Sequence, residues 1–140
     1  MRSLPIPLVP RWLRYLGVSI VAAVLFYFSV LSAPPTSPRP SPFWDKQLHF
    51  LGYAGFALAL AYATANLRDR LWRRITLVLA IAIGYGLLIE SVQWFQPNRY
   101  FSLGDALANV GGAVLASAWF LLESRLRYIR IQWDELTNRA

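Results

Sequence analysis

Four stretches of the chain are predominantly apolar over the length of a membrane crossing, at about 15–32, 48–67, 75–95 and 103–122. A hydrocarbon layer of roughly 30 Å takes about 20 helical residues, so each stretch is long enough to span it. None alternates polar and apolar residues in the manner of a membrane barrel strand. The pattern predicts an all-α fold: a four-transmembrane-helix bundle occupying residues 1–140 as a single membrane domain.

The pieces between the stretches are short. "APPTSPRPSPFW" carries five prolines between Pro34 and Pro42, cannot be helical, and is expected to form an extended strap. Phe43 and Trp44 after it, and Trp94, Phe95, Tyr100 and Phe101 around the next turn, are placed like the aromatic rings that settle at a membrane interface. In the tail, 123–140, Leu126, Ile129, Trp133 and Leu136 share one helical stripe, predicting an amphipathic interfacial helix. Small residues recur every four positions at Gly55, Ala59 and Ala63, and again at Ala108, Gly112 and Ala116. Such rows let backbones approach in lipid and predict a contact between spans two and four.

Charge adds an orientation. Of the 14 Lys and Arg residues, eleven (Arg2, Arg11, Arg14, Arg68, Arg70, Arg73, Arg74, Arg125, Arg127, Arg130 and Arg139) fall on one side of a four-span topology. Arg39, Lys46 and Arg99 fall on the other. By the positive-inside bias both termini are cytoplasmic, the loops at 33–47 and 96–102 face outward, and the protein is a multi-pass component of the cytoplasmic (inner) membrane. The first stretch is expected to remain as a span. Pro34 directly after Ala33 disfavours cleavage there, and the apolar run exceeds a signal core of about 7–15 residues. The net charge of +7 follows from this topology, so no nucleic-acid partner is expected. A chain with 56% hydrophobic and 15% charged residues lies outside the soluble balance, and the lack of cysteine excludes disulfides, thiolate catalysis and cysteine-ligated metal.

Against that apolar background, polar residues gather at one end. Asp45, His49 and Tyr53 are spaced by four and form a stripe descending from the outer surface, with Lys46 off it toward the headgroups. The third span ends "ESVQWFQPNR", placing Glu90 and Gln93 on one face before Arg99. The fourth opens "SLGDALANVGG", where Asp105, Asn109 and Gly112 share a face. Three of the seven carboxylates, the only histidine, an arginine and two amides therefore converge on the outer end. A charge on a spanning helix costs about 2.5–3.5 kcal/mol at the centre by insertion scales. Each residue also has a structural role open to it. His49 suits an interface, Glu90 can pin Arg99, Ser102 and Asp105 can cap the fourth helix, and Asn109 can bond across helices for about 0.6 kcal/mol. An inward-facing polar pocket accounts for all of them together.

These motifs resemble those of the VanZ-like family of small bacterial membrane proteins. The matching residues are Asp45, Lys46, His49, Phe50 and Tyr53, then Glu90, Gln93, Pro97, Arg99, Asp105, Asn109 and Gly112. The resemblance covers about 45–122 and leaves out the proline strap and the tail. It implies a link to the cell envelope, since the family takes its name from a member associated with resistance to the glycopeptide teicoplanin.

Three functions follow as alternatives. In the first, the pocket binds a membrane lipid headgroup, a lipid-linked envelope precursor or an amphiphilic antibiotic. Arg99 and Lys46 would meet phosphate or carboxylate, Gln93 and Asn109 hydroxyls or amides, and Tyr53 or Trp94 an apolar or sugar face. In the second, an outer-leaflet hydrolase or transferase uses His49 and Glu90 as base and acid. Its metal-dependent form would hold an ion through His49 with Asp45, Glu90 or Asp105. The single histidine fits no standard zinc spacing, and neither metal nor cofactor is expected. In the third, the polar groups only tie helix ends together and the protein acts through a partner or as a homo-oligomer.

Overall fold

A computed structural model describes residues 4–32, 43–96 and 102–130. The order is β1 (Leu4–Leu8), α1 (Arg11–Phe26) running into a π-helical turn (Tyr27–Leu31), α2 (Trp44–Ala63), a 3-10 segment (Ala65–Arg70), α3 (Leu71–Trp94), α4 (Leu103–Ala116), α5 (Trp119–Glu123) and β2 (Leu126–Arg130). The proline strap, Arg99 with its neighbours in 97–101, and the tail beyond Arg130 lie outside the described residues.

Three helical stretches, Arg11–Leu31, Ala65–Trp94 and Leu103–Glu123, are long and apolar enough to cross a membrane. Helix α2, the fourth expected span, is 20 residues long but carries Asp45, Lys46, Gln47 and His49 in its first turns, which leaves it outside that group. The core interleaves alanines with larger aromatic and aliphatic side chains. Tyr53, Phe56, Ala57, Leu60 and Ala61 of α2 meet Val78 and Ala82 of α3, Ala113 and Ala116 of α4, and Phe120 of α5. On α3 the buried residues Arg74, Val78, Ala82, Gly86, Glu90 and Gln93 recur every three or four positions, one stripe along the helix.

Helices α2 and α4 form the most extensive contact, as the small-residue rows predict, but the face on α2 differs. Gly55 is exposed and has nothing near it. The close approach is made by Gly112, where a Cβ would stand 2.1 Å from the carbonyl oxygen of Phe50. Glycine is required because the backbone of α2 fills the space a side chain would take.

Helix α1 lies at the periphery, with Val18, Val21, Ala22 and Leu25 only partly buried against the core. Polar side chains hold it through its backbone. Tyr85 Oη donates to Ala22 O at 2.7 Å, Gln93 Nε2 to Ser29 O at 2.7 Å, and Gln96 Nε2 to Val30 O at 2.9 Å. The latter two carbonyls belong to the π-helical turn, where an irregular ladder frees main-chain acceptors that apolar surroundings would leave unpaired.

At the opposite end, arginines satisfy the last carbonyls of α2. Arg14 Nη1 donates to Tyr62 O and Ala63 O at 3.3 and 3.1 Å, while Arg74 Nη2 donates to Ala61 O. Helix termini leave such acceptors orphaned, and cations are favoured there. Arg74 is fully buried. It also donates to both oxygens of Glu123 at 2.5 and 2.9 Å and stacks over Phe120 at 4.9 Å from the ring centroid. Arg14 and Arg74, which the sequence assigns to a charge bias, are thus buried structural clamps.

The expected amphipathic helix is corrected over Leu126–Arg130, which is a strand paired in parallel with β1, Leu4 opposite Leu126 and Leu8 opposite Arg130. Pro5 and Pro7 prevent β1 from being helical and hold it extended, and it recruits the tail as a partner. Tyr128 Oη reaches Glu123 Oε1 at 2.5 Å and anchors the ladder to the bundle. This short sheet departs from a purely α fold, and it brings the two described chain ends together.

Candidate functional site

The site forms where α2 begins, α3 ends and α4 begins. Helix α2 starts at Trp44, so Asp45, Lys46, His49 and Tyr53 occupy its first three turns. Ser102 starts α4 as its N-cap, its hydroxyl accepting from Asp105 N at 3.2 Å. That capping role leaves the Asp105 carboxylate free for other partners. Lys46, expected to point toward headgroups, instead reaches inward, and its Nζ lies 3.2 Å from Asp105 Oδ1.

Below that ion pair the polar side chains are buried. His49 Nδ1 lies 3.0 Å from Asn109 Oδ1, an oxygen that accepts, so this ring nitrogen is the donor. Glu90 has an exposure of 0%; its Oε2 accepts from Ser102 N at 3.3 Å, and its Oε1 lies 4.0 Å from His49 Nδ1. Glu90 Oε1, the Tyr53 hydroxyl and Asn109 Nδ2 are buried and have no hydrogen-bond partner among the described residues. Buried polar groups are normally paired, and each unpaired one forgoes about 1–3 kcal/mol.

Gly86 makes room for them. A Cβ there would lie 3.1 Å from both Asn109 Nδ2 and Tyr53 Cε1. Gly104 does the same one layer above, where a Cβ would meet Lys46 Cε at 2.7 Å.

Beside the polar cluster is a cavity of about 420 Å³ between the π-helical turn and the start of α2. Val24, Leu25, Phe28 and Leu48 give it apolar walls, while Asp45, His49 and Tyr53 face it from the cluster. Helix α1 packs against α2 just below it, where a Cβ on Gly52 would lie 2.8 Å from Leu25 Cδ2, while the π-helical turn above is tied to α3 through Gln93. An apolar recess ending at polar side chains matches the form of an amphiphile.

The sequence-predicted residues divide as follows. Asp45, Lys46, His49, Tyr53, Glu90, Asp105 and Asn109 come together. Gln93 is buried nearby, but its amide is committed to Ser29 O, which makes it a tether rather than a free ligand contact. Arg99 lies outside the described residues. Ser102, Gly86 and the cavity wall on α1 are additions, and among them only the "SLGD" cap left a sequence signal. A carboxylate oxygen of Asp45, a ring nitrogen of His49 and a carboxylate oxygen of Asp105 lie within 4.8 Å of one another, close enough to share one cation. Lys46 already supplies a positive charge to Asp105.

Compared with known families, residues 8–124 match the VanZ/LLP1 family model. The match extends further than the motif resemblance over 45–122, taking in α1 and the segment that follows it. No curated protein and no solved structure matches the chain.

Proposed function

We propose, for a chain that belongs to the VanZ/LLP1 family, that the cluster of Asp45, Lys46, His49, Tyr53, Glu90, Asp105 and Asn109 binds the polar head of an amphiphile. The cavity against α1 receives the first part of its apolar chain. The ligand class comprises membrane lipids, lipid-linked envelope precursors and amphiphilic glycopeptides of the teicoplanin type. In this reading α2 also crosses the cytoplasmic membrane, both termini face the cytoplasm, and the cluster opens to the outer leaflet.

The observation that carries the proposal is a group of three buried polar atoms, on Tyr53, Glu90 and Asn109, unpartnered among the described residues, in a cluster whose Tyr53, His49 and Asp45 also wall an apolar recess. A purely structural network would pair its members, because a half-satisfied one is worse than apolar packing. Lys46, partly exposed above the cluster and paired with Asp105, is a cation that a phosphate or carboxylate would share.

The test compares wild type with Glu90→Gln and Asn109→Leu, normalised to membrane abundance. Amphiphiles co-purifying with each are identified by mass spectrometry, and teicoplanin susceptibility is measured in cells expressing them. Loss of one buried partner should reduce ligand retention by about tenfold or more. Retention and susceptibility unchanged in both variants would remove the site from the function.

A second reading, an outer-leaflet hydrolase or transferase, draws on the 4.0 Å approach of His49 Nδ1 to Glu90 Oε1. It predicts turnover of a lipid-linked substrate by wild type and none by His49→Ala.

A further inference from the structure

A second pocket, of about 270 Å³, lies at the end of the bundle remote from the polar cluster. It is lined by Leu8, Val9, Pro10, Arg11, Arg14, Asn66 and Arg130. Three of these side chains carry a guanidinium, and no carboxylate among the described residues lines the space. Arg14 is the informative one, with an exposure of 5%. Its Nη1 is held by Tyr62 O and Ala63 O and its Nη2 by Asn66 Oδ1 at 3.1 Å, so the fork is fixed in place. Its Nε is buried without a partner among the described residues. A buried cation beside two exposed ones is unfavourable until an anion joins them, because burial removes its hydration and like charges repel.

We infer that this pocket binds a phosphate group, and that the group is carried by an anionic glycerophospholipid of the leaflet on this side. The chemistry favours phosphate over a single carboxylate, since several guanidinium donors can share its oxygens. Its position favours a lipid. Arg11 opens α1, where the first amides of a helix add donors and a favourable dipole. Leu8, Val9 and Pro10 supply an apolar wall beside the cations, and basic pockets at helix ends are a recurring form of lipid headgroup site. None of this depends on the ligand of the opposite end.

Arg14 also closes the end of α2, so its loss would confound folding with binding. The test therefore uses Arg11→Gln/Arg130→Gln, which removes two exposed pocket cations and leaves the clamp intact. Arg73→Gln, an exposed arginine outside the pocket, is the control. Full-length protein is equilibrated with equimolar phosphatidylglycerol and phosphatidylcholine, and retained lipid is counted by native mass spectrometry. A parallel arm measures thermal stability of lipid-depleted protein against inorganic phosphate. Selective retention of phosphatidylglycerol, weakened at least about tenfold by the double substitution and unaffected by Arg73→Gln, establishes the lipid site. Stabilisation by inorganic phosphate alone, lost in the double variant, keeps the phosphate site and assigns it a soluble anion. Equal retention of the two lipids without a phosphate effect, or equal weakening by Arg73→Gln, overturns the inference.

Discussion

Replacing Gly112 by alanine tests how the helix contact sets the site. The new Cβ would stand 2.1 Å from Phe50 O and 3.0 Å from Ala54 N. An ordinary carbon–oxygen approach is roughly 3.3 Å, so α2 and α4 must separate by about 1 Å at this level. Both atoms are backbone, and no rotamer change relieves the clash. Overpacking of this kind typically costs about 1–3 kcal/mol. The site lies on the same two helices. His49 Nδ1 to Asn109 Oδ1, now 3.0 Å, would open to about 4 Å, beyond hydrogen-bonding range, and Lys46 to Asp105 would lengthen from 3.2 Å in the same way. Gly55→Ala on the exposed face of α2 is the matched control, since nothing lies within 4 Å of its Cβ. Thermal or denaturant unfolding of both variants in one detergent, with retention of the amphiphile proposed to bind the cluster, measures the effect. Gly112→Ala should lose stability and ligand together while Gly55→Ala keeps both. A Gly112→Ala protein with wild-type stability and retention would refute the claim that this contact holds the site.

The buried pair at the other end gives a second prediction. Arg74→Met alone leaves Glu123 charged and buried and should destabilise by about 3–5 kcal/mol, whereas Arg74→Met/Glu123→Leu should recover most of that loss in equilibrium unfolding. A third concerns alkaline pH. Burial, then donation to Glu123 and the charge of that carboxylate, push the Tyr128 hydroxyl from 10.0 up to about 12. Because the folded state raises this value, the stabilisation is complete below about pH 10 and disappears as pH climbs through 12. The stability difference between wild type and Tyr128→Phe should therefore be constant to about pH 10 and shrink above it.

Much of this arrangement is legible in the order of residues. Periodicity places Asp45, His49, Glu90, Asp105 and Asn109 at one end, because helical spacing and a strong aversion to lipid leave them few other positions. The α2–α4 contact is legible in kind through Gly112, but not in its face on α2. Many helix positions here are alanine or glycine, so spacing alone cannot tell the exposed Gly55 from the buried Ala57. Residues 126–130 mislead for a different reason. Their helical stripe is real, yet the rigid extended backbone at Pro5 and Pro7 offers a strand partner that local periodicity cannot register. The clamps of Arg14 and Arg74 are hidden because an arginine flanking a span looks the same in sequence whether it meets water or the carbonyls of another helix.

The stitching of α1 has a consequence for how freely that segment can change. Ala22, Ser29 and Val30 are gripped by their peptide oxygens, which every amino acid possesses. Mutation can exchange most of the side chains along α1 and leave these moorings untouched, provided the replacements stay greasy and the irregular turn persists. The donors at Tyr85, Gln93 and Gln96 have no such latitude. Drift should accumulate in the first helix while the residues that hold it stand still.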